Sequence, residues 1–141
     1  MITAVDTNVL LDVFAADPQF GEASAAWLRR CSSEGRLVAC EVVLAELASV
    51  FPTSGEALEA LDRLEVDFSP MESAAAVHAG VAWRTYRKKG GSRERLVADF
   101  LIGAHAMEQA GRLLTRDRGF YQRYFAPLEI IDLSRPPTAS Q

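Results

Sequence analysis

Apolar residues recur along this chain in two alternating rhythms. Short continuous runs, ITAV at 2–5, RLVAC at 36–40, VDFS at 66–69, RLLT at 112–115 and LEIID at 128–132, have the length and composition of buried strands. Helical stretches separate them. Residues 8–15 predict a short helix ended near Asp17-Pro18. Residues 20–34 place Phe20, Ala23, Trp27 and Leu28 at helical spacing and stop at Gly35. EVVLAELASVF at 41–51 stops before Pro52, and a helix over 54–64 has Ser54 as its N-cap. Residues 70–89 end in Arg87-Lys88-Lys89, where positive charge suits the C-terminal end of a helix. Gly90-Gly91 is a break, Ser92 caps a helix over 93–110, and Gly111 takes its C′ position. GFYQRYF is a last short helix. Strands that alternate with helices predict an α/β fold with a parallel sheet covered on both faces. Such sheets place ligand sites at the carboxyl ends of their strands.

Composition narrows this to one unit. With 141 residues, 49% of them hydrophobic, the chain is long enough to bury roughly 70% of its unfolded surface without disulfides or a structural metal. A single domain is expected over 1–134, with a flexible Pro-rich tail over 135–141. No basic stretch opens the chain, and no apolar run approaches the ~18 residues that span a bilayer. A cytoplasmic protein without a membrane partner is expected. Cys31 and Cys40 show no paired spacing and read as small buried hydrophobes. The formal net charge of -4 and pI of about 5.2 weigh against a nucleic-acid binder.

Four acids stand out against the apolar pattern. Asp6 follows the first strand and Asp117 the fourth, so both point to one crevice. Glu46 interrupts VVLAELASV, and Asp99 interrupts LVADFLIGAHA. Each has a plain structural reading: Asp6 as an N-cap, Asp117 in a turn with Gly119, Glu46 on a solvated face, Asp99 paired with Arg95 one turn earlier. Taken together they share a feature that four accidents do not explain. Clustered carboxylates repel, so they need a cation or protons. With no His or Cys at ligand spacing, an oxygen-only set suits Mg²⁺ or Mn²⁺ better than Zn²⁺. The natural chemistry is phosphodiester hydrolysis.

AVDTNVLLD at 4–12, VVLAEL at 42–47, ADFLIGAHA at 98–106 and LLTRDRGF at 113–120 together resemble the PIN-domain ribonucleases, and within them the VapC-type toxins of toxin–antitoxin pairs. The resemblance spans nearly the whole chain, and the four pieces stand in the family's order. It implies a three-layer α/β/α sandwich with a mainly parallel sheet and an acidic pocket for Mg²⁺ or Mn²⁺. It also implies cleavage of single-stranded RNA and a cognate small antitoxin. Carried over, Asp6 and Asp99 match the first and third family acids, Glu46 the second, with Glu41 as a nearby competitor, and Asp117 the fourth and most variable. Asn8 and Thr115 match small polar residues that orient ligands or water. Asp12, one turn from Asn8, reads as structural support before it reads as a ligand.

This resemblance answers the charge objection. Setting the four acids aside takes the formal charge from -4 to 0. Basic residues group in RTYRKKGGSRER at 84–95 and at Arg112, Arg116, Arg118 and Arg123, either as solvated loops or as a phosphate-guiding rim, with Arg95 nearest the acids. His78 and His105 form no metal motif. Trp27, Trp83, Phe100, Tyr121 and Phe125 read as core or interface, and Trp83 with Tyr86 as part of a dimer or antitoxin groove.

The expected function is a metal-dependent endoribonuclease toxin, a homodimer silenced by its antitoxin. Asp6, Glu46, Asp99 and Asp117 form its pocket, with Asn8, Thr115 and Arg95 in support. A non-catalytic PIN module that binds RNA or a protein partner is the alternative. A phosphatase with an aspartyl nucleophile fits less well, because Asn8 stands where a second Asp is needed and no suitable later lysine follows. At the first strand end, Thr7 or Asn8 is expected to cap the helix while Asp6 faces the cation.

Overall fold

A computed structural model describes residues 1–91 and 97–138. Five strands, β1 (Ile2–Val5), β2 (Arg36–Ala39), β3 (Val66–Phe68), β4 (Arg112–Leu114) and β5 (Glu129–Ile131), form one sheet in the order β3-β2-β1-β4-β5. All four pairings are parallel, with Thr3 opposite both Leu37 and Arg112. The central strands are buried almost throughout, which is why they read as unbroken apolar runs. The edge strands β3 and β5 leave residues exposed.

The helices are α1 (Thr7–Phe14), α2 (Gly21–Glu34), α3 (Glu41–Ala48), α4 (Glu56–Arg63), α5 (Ser73–Lys88), α6 (Val97–Gln109) and α7 (Arg118–Tyr124). Crossovers run outward from β1 to β2 and β3, then return to β4 and β5. Parallel neighbours in this order are joined by helical crossovers, which cover both faces of the sheet and give the three-layer α/β/α sandwich. The direction of winding reverses between β1 and β4, so a crevice opens at their carboxyl ends. Among the described residues no helix is long and apolar enough to cross a membrane.

Val5, Leu37, Val38, Leu113 and Leu114 of the sheet pack with Val9, Leu10, Leu47, Phe100 and Phe125 of the helices. Phe100 is the hub of an aromatic group. Its ring meets Phe120 edge-on at 4.9 Å and lies 5.4 Å from Tyr86, which joins α5, α6 and α7 behind the crevice. Both cysteines are free and buried.

Helix boundaries depart furthest from the sequence reading around Ser54, residues 70–72 and the end of α3. Ser54 caps nothing. Helix α4 begins at Glu56 after Gly55, and the Glu56 carboxylate accepts the Thr53 N–H at 3.0 Å. Residues 70–72 lie outside α5, because Met71 N–H donates to the Glu41 carboxylate and Glu72 N–H to Gln109 Oε1. Helix α3 stops at Ala48, short of residue 51. The cap assigned to Ser92 lies outside the described residues. Residues 135–138 of the expected tail meet α2: Trp27 Nε1 donates to the Arg135 carbonyl at 2.7 Å, and Arg30 donates to the Thr138 carbonyl.

Gly35 ends α2 where the chain must enter β2 tight against β1. Arg36 N–H donates to the Met1 carbonyl at 3.0 Å, and a Cβ on Gly35 would stand 1.8 Å from that same oxygen. Gly35→Ala is therefore expected to lower stability by about 2 kcal/mol or more, since backbone on both sides must shift. Gly80→Ala on exposed α5, where a Cβ meets nothing within 4 Å, should raise stability by up to about 1 kcal/mol. Thermal unfolding of the two variants checks this. Similar melting temperatures for both would refute the close-approach argument.

Candidate active site

The centre of the crevice is Asp6. Its backbone N–H donates to the Leu114 carbonyl at 3.0 Å, which extends the β1–β4 ladder by one residue. Thr115 then follows β4 on the facing side. Asp6 is the N-cap of α1, with extended backbone and its Oδ1 accepting the Thr7 N–H at 2.7 Å. Neither Thr7 nor Asn8 caps the helix, in contrast to the sequence expectation. One carboxylate oxygen of Asp6 does so, because the N-cap position falls on the first residue after the strand. The other oxygen, Oδ2, accepts the Thr115 hydroxyl at 2.7 Å, the Tyr121 hydroxyl at 3.3 Å and Asn8 Nδ2 at 3.4 Å.

Burial sets the chemistry of this group. Asp6 is 6% exposed. Desolvation pushes its carboxyl up to about 6, against hydrogen bonds from Thr115 and Thr7 that lower it, and the charge of Asp99 pushes in the same upward direction. Tyr121 is fully buried. Desolvation, then the charges of Asp6 and Asp99, with a smaller push from Asp117, drive its hydroxyl far above the usual range. Three of the four predicted acids thus act on one buried hydroxyl, which stays protonated and a donor.

Asp99 lies in the first turn of α6 and is partly buried. Asp117 is the N-cap residue of α7. Its backbone N–H donates to Thr115 Oγ1 at 3.0 Å, so the Thr115 hydroxyl joins the Asp117 loop to the Asp6 carboxylate. Glu46 is exposed on α3, which packs against α6, and its Oε1 accepts the Thr7 hydroxyl at 2.8 Å. Glu41, its competitor in sequence, is occupied with the Met71 N–H instead. Arg95 lies outside the described residues.

Asn8 spans the crevice weakly, its Oδ1 accepting the Arg116 N–H at 3.3 Å. Arg116 is fixed more firmly: Nε and Nη2 donate to the buried Asp12 carboxylate at 2.8 and 3.0 Å, and Ser24 Oγ adds a bond at 2.9 Å. Asp12 therefore anchors the loop between Thr115 and Asp117. His105 is buried with Nε2 3.0 Å from Ser69 Oγ, and His78 pairs with Glu108, so neither faces the acids.

Two contributors do not stand out in the sequence. Tyr121 reads there as one of the core aromatics, and Thr7 as a helix cap. The available signal for Tyr121 was its place four residues after Asp117, one helical turn on, as a tyrosine beside two phenylalanines.

Among the described residues no three His, Cys, Asp or Glu side chains stand together as a group that could hold a metal ion. The donor chemistry nonetheless fits a hard cation. A buried carboxylate held above its ordinary range by burial and a second acid is a position where positive charge relieves an existing cost, and the set is all oxygen.

The family described as PIN domain matches residues 3–126. Solved structures of similar fold include VapBC2 from Rickettsia felis, bound to a DNA fragment from its promoter, at 20% identity and TM-score 0.70, covering 93% of this chain and 98% of that one. VapBC-1 from nontypeable Haemophilus influenzae matches at 21% identity and TM-score 0.71 over 96% and 100%. FitAcB from Neisseria gonorrhoeae matches at 21% and 0.67 over 95% and 99%. No curated protein sequence matches the chain.

The Asp6 carboxyl ties the site to stability. In the unfolded chain it loses its proton near 3.8, in the folded protein near 6. Between those values the folded state holds the extra proton, so this group's effect is a stability that falls as pH rises from about 4 to 6. Above pH 6 the full cost is present, roughly 3 kcal/mol. Without divalent metal, Asp6→Asn is expected to melt about 5 °C or more above the wild type at pH 7.5 and to lose that advantage by pH 4. Equal melting curves at pH 7.5 would remove the buried-charge assignment.

Proposed function

The chain belongs to the PIN-domain family, and from that premise we propose that it is a divalent-metal-dependent endoribonuclease, the toxin of a toxin–antitoxin pair. The observation that carries the reading is the Asp6 carboxylate: buried at the switch point of a parallel sheet, held by Thr115 and Tyr121, and raised in pKa by burial and Asp99. Asp6 and Asp99 would hold Mg²⁺ or Mn²⁺. Glu46 and Asp117 complete the pocket or position water. A divalent ion bound there supplies charge neutralisation at the phosphate and lowers the pKa of the attacking water.

The chain's own groups do the rest. Thr115 and Tyr121 donate to Oδ2 and fix the carboxylate's orientation, while the Thr7 N–H holds Oδ1. Thr7 Oγ1 keeps Glu46 beside the first strand end. Water attacks phosphorus, the bond to the 3′ oxygen breaks, and a proton passes to that oxygen. The products are a 5′-phosphate and a 3′-hydroxyl.

An antitoxin and a second copy of the chain are the proposed protein partners, in the cytoplasm. Support comes from α5, where Val77 and Val81, one helical turn apart, are 67% and 47% exposed. One observation favours a non-catalytic RNA- or protein-binding module: no described group of three acids is ready to ligate one ion. The two readings differ in what metal does.

Purified protein freed of partners is expected to cut single-stranded RNA with Mg²⁺ or Mn²⁺ and to stop in EDTA. Thr115→Val should weaken metal activation by about 10–100-fold, and Asp6→Ala or Asp99→Asn should reduce cleavage further. RNA binding that ignores metal, with Asp99→Asn equal to wild type, would establish the binding module instead.

A further inference from the structure

A second concavity, of about 450 Å³, opens beside the acidic pocket. Gln19, Phe20, Arg116, Arg118, Asp132 and Ser134 line it, and it backs onto Thr115. It occupies the next position along the sheet, between the carboxyl ends of β4 and β5 and the start of α2. Thr115 is the shared wall. Its hydroxyl reaches Asp6 at 2.7 Å, which sets this opening next to the acids.

The lining has two distinct parts. Arg116 lies over the Phe20 ring at 4.2 Å and is locked there by two bonds to Asp12. That stack is a rigid, flat, partly cationic wall of the kind that splayed bases of single-stranded RNA pack against. Its charge is already matched by Asp12, so it recognises a face rather than a phosphate. Arg118 is the opposite case. Its side chain is 44% exposed and has a 3.3 Å contact with Asp132. Asp132 is independently served by Ser134, through the N–H at 2.9 Å and the hydroxyl at 2.6 Å. An exposed ion pair of this kind is weak, and Asp132 keeps its other donors when Arg118 leaves.

We propose that this concavity binds the nucleotide adjoining the scissile phosphate. The base lies along the Phe20–Arg116 stack, and Arg118 exchanges Asp132 for the next phosphate. The inference rests on the ribonuclease reading. It makes Arg118 a substrate-binding residue, and Asp132 its competitor for that guanidinium.

The test is steady-state cleavage of a single-stranded RNA by the wild type, Arg118→Gln, Asp132→Asn, Phe20→Leu and Arg63→Gln. Arg63, at the end of α4 before the far edge strand, controls for loss of one positive charge. Arg118→Gln should raise KM about tenfold with kcat within about twofold. Phe20→Leu, which keeps the apolar volume, should also raise KM. Asp132→Asn should leave KM unchanged or lower it, whereas a merely structural Arg118–Asp132 pair would make both variants fail together. A rise in KM for Asp132→Asn, no rise for Arg118→Gln, or an equal rise for Arg63→Gln overturns the inference and leaves the ribonuclease reading intact. RNA left uncut by the wild type overturns both.

Discussion

The hydroxyl of Thr115 on the carboxylate of Asp6 is the contact on which the crevice depends. It closes the gap between the ends of two central strands whose directions of winding diverge, at a depth where a carboxylate is expensive to keep. The same oxygen accepts the Asp117 N–H, so one side chain ties Asp6 across the crevice to Asp117 on its own loop. Its complete burial gives it no alternative partner in solvent. Remove the hydroxyl and, among the described residues, Oδ2 of Asp6 retains the longer bonds from Tyr121 and Asn8.

Much of this was legible in the sequence because burial on both faces leaves a plain mark. The central strands are largely apolar runs, and Asp6 and Asp117 stand beyond their ends. The pattern could not give caps and short irregular joints, since those depend on which side chain reaches a backbone group across the fold. Residues 70–72 carry a helical composition, yet Glu41 and Gln109 from elsewhere in the chain take up their N–H groups. Ser54 has the right chemistry for a cap and the wrong place by one residue. Tyr121 was hidden for a related reason. A buried tyrosine among phenylalanines looks like packing until the fold shows where its hydroxyl points.

The segment from Thr115 to Arg118 gives each successive residue a separate task. Thr115 holds Asp6, Arg116 turns away to Asp12 and Phe20, Asp117 starts α7, and Arg118 reaches across to Asp132. Such a loop keeps its geometry only if the outward-facing residues are restrained as firmly as the inward one. The buried Asp12 carboxylate provides that restraint, with two bonds to the guanidinium and one to Ser24. Asp12 therefore acts on the acids without facing them.

Charge shows why placement decides what net composition does not. A chain of net charge -4 looks unsuited to a polyanion. Yet an acid at the crevice centre repels a phosphate only while it is ionised and uncompensated, and burial leaves Asp6 only about half ionised near pH 6. Arg116 and Arg118 stand at the adjoining opening, each balanced by an acid of different strength of attachment. The buried Asp12 pair is fixed and fully bonded, whereas the Arg118–Asp132 pair is half-exposed and has a longer contact. A polyanion therefore meets one guanidinium that cannot move and one that can. On the proposed ribonuclease reading, that difference in commitment, rather than the sum of charges, is what lets an acidic protein present a phosphate-binding edge.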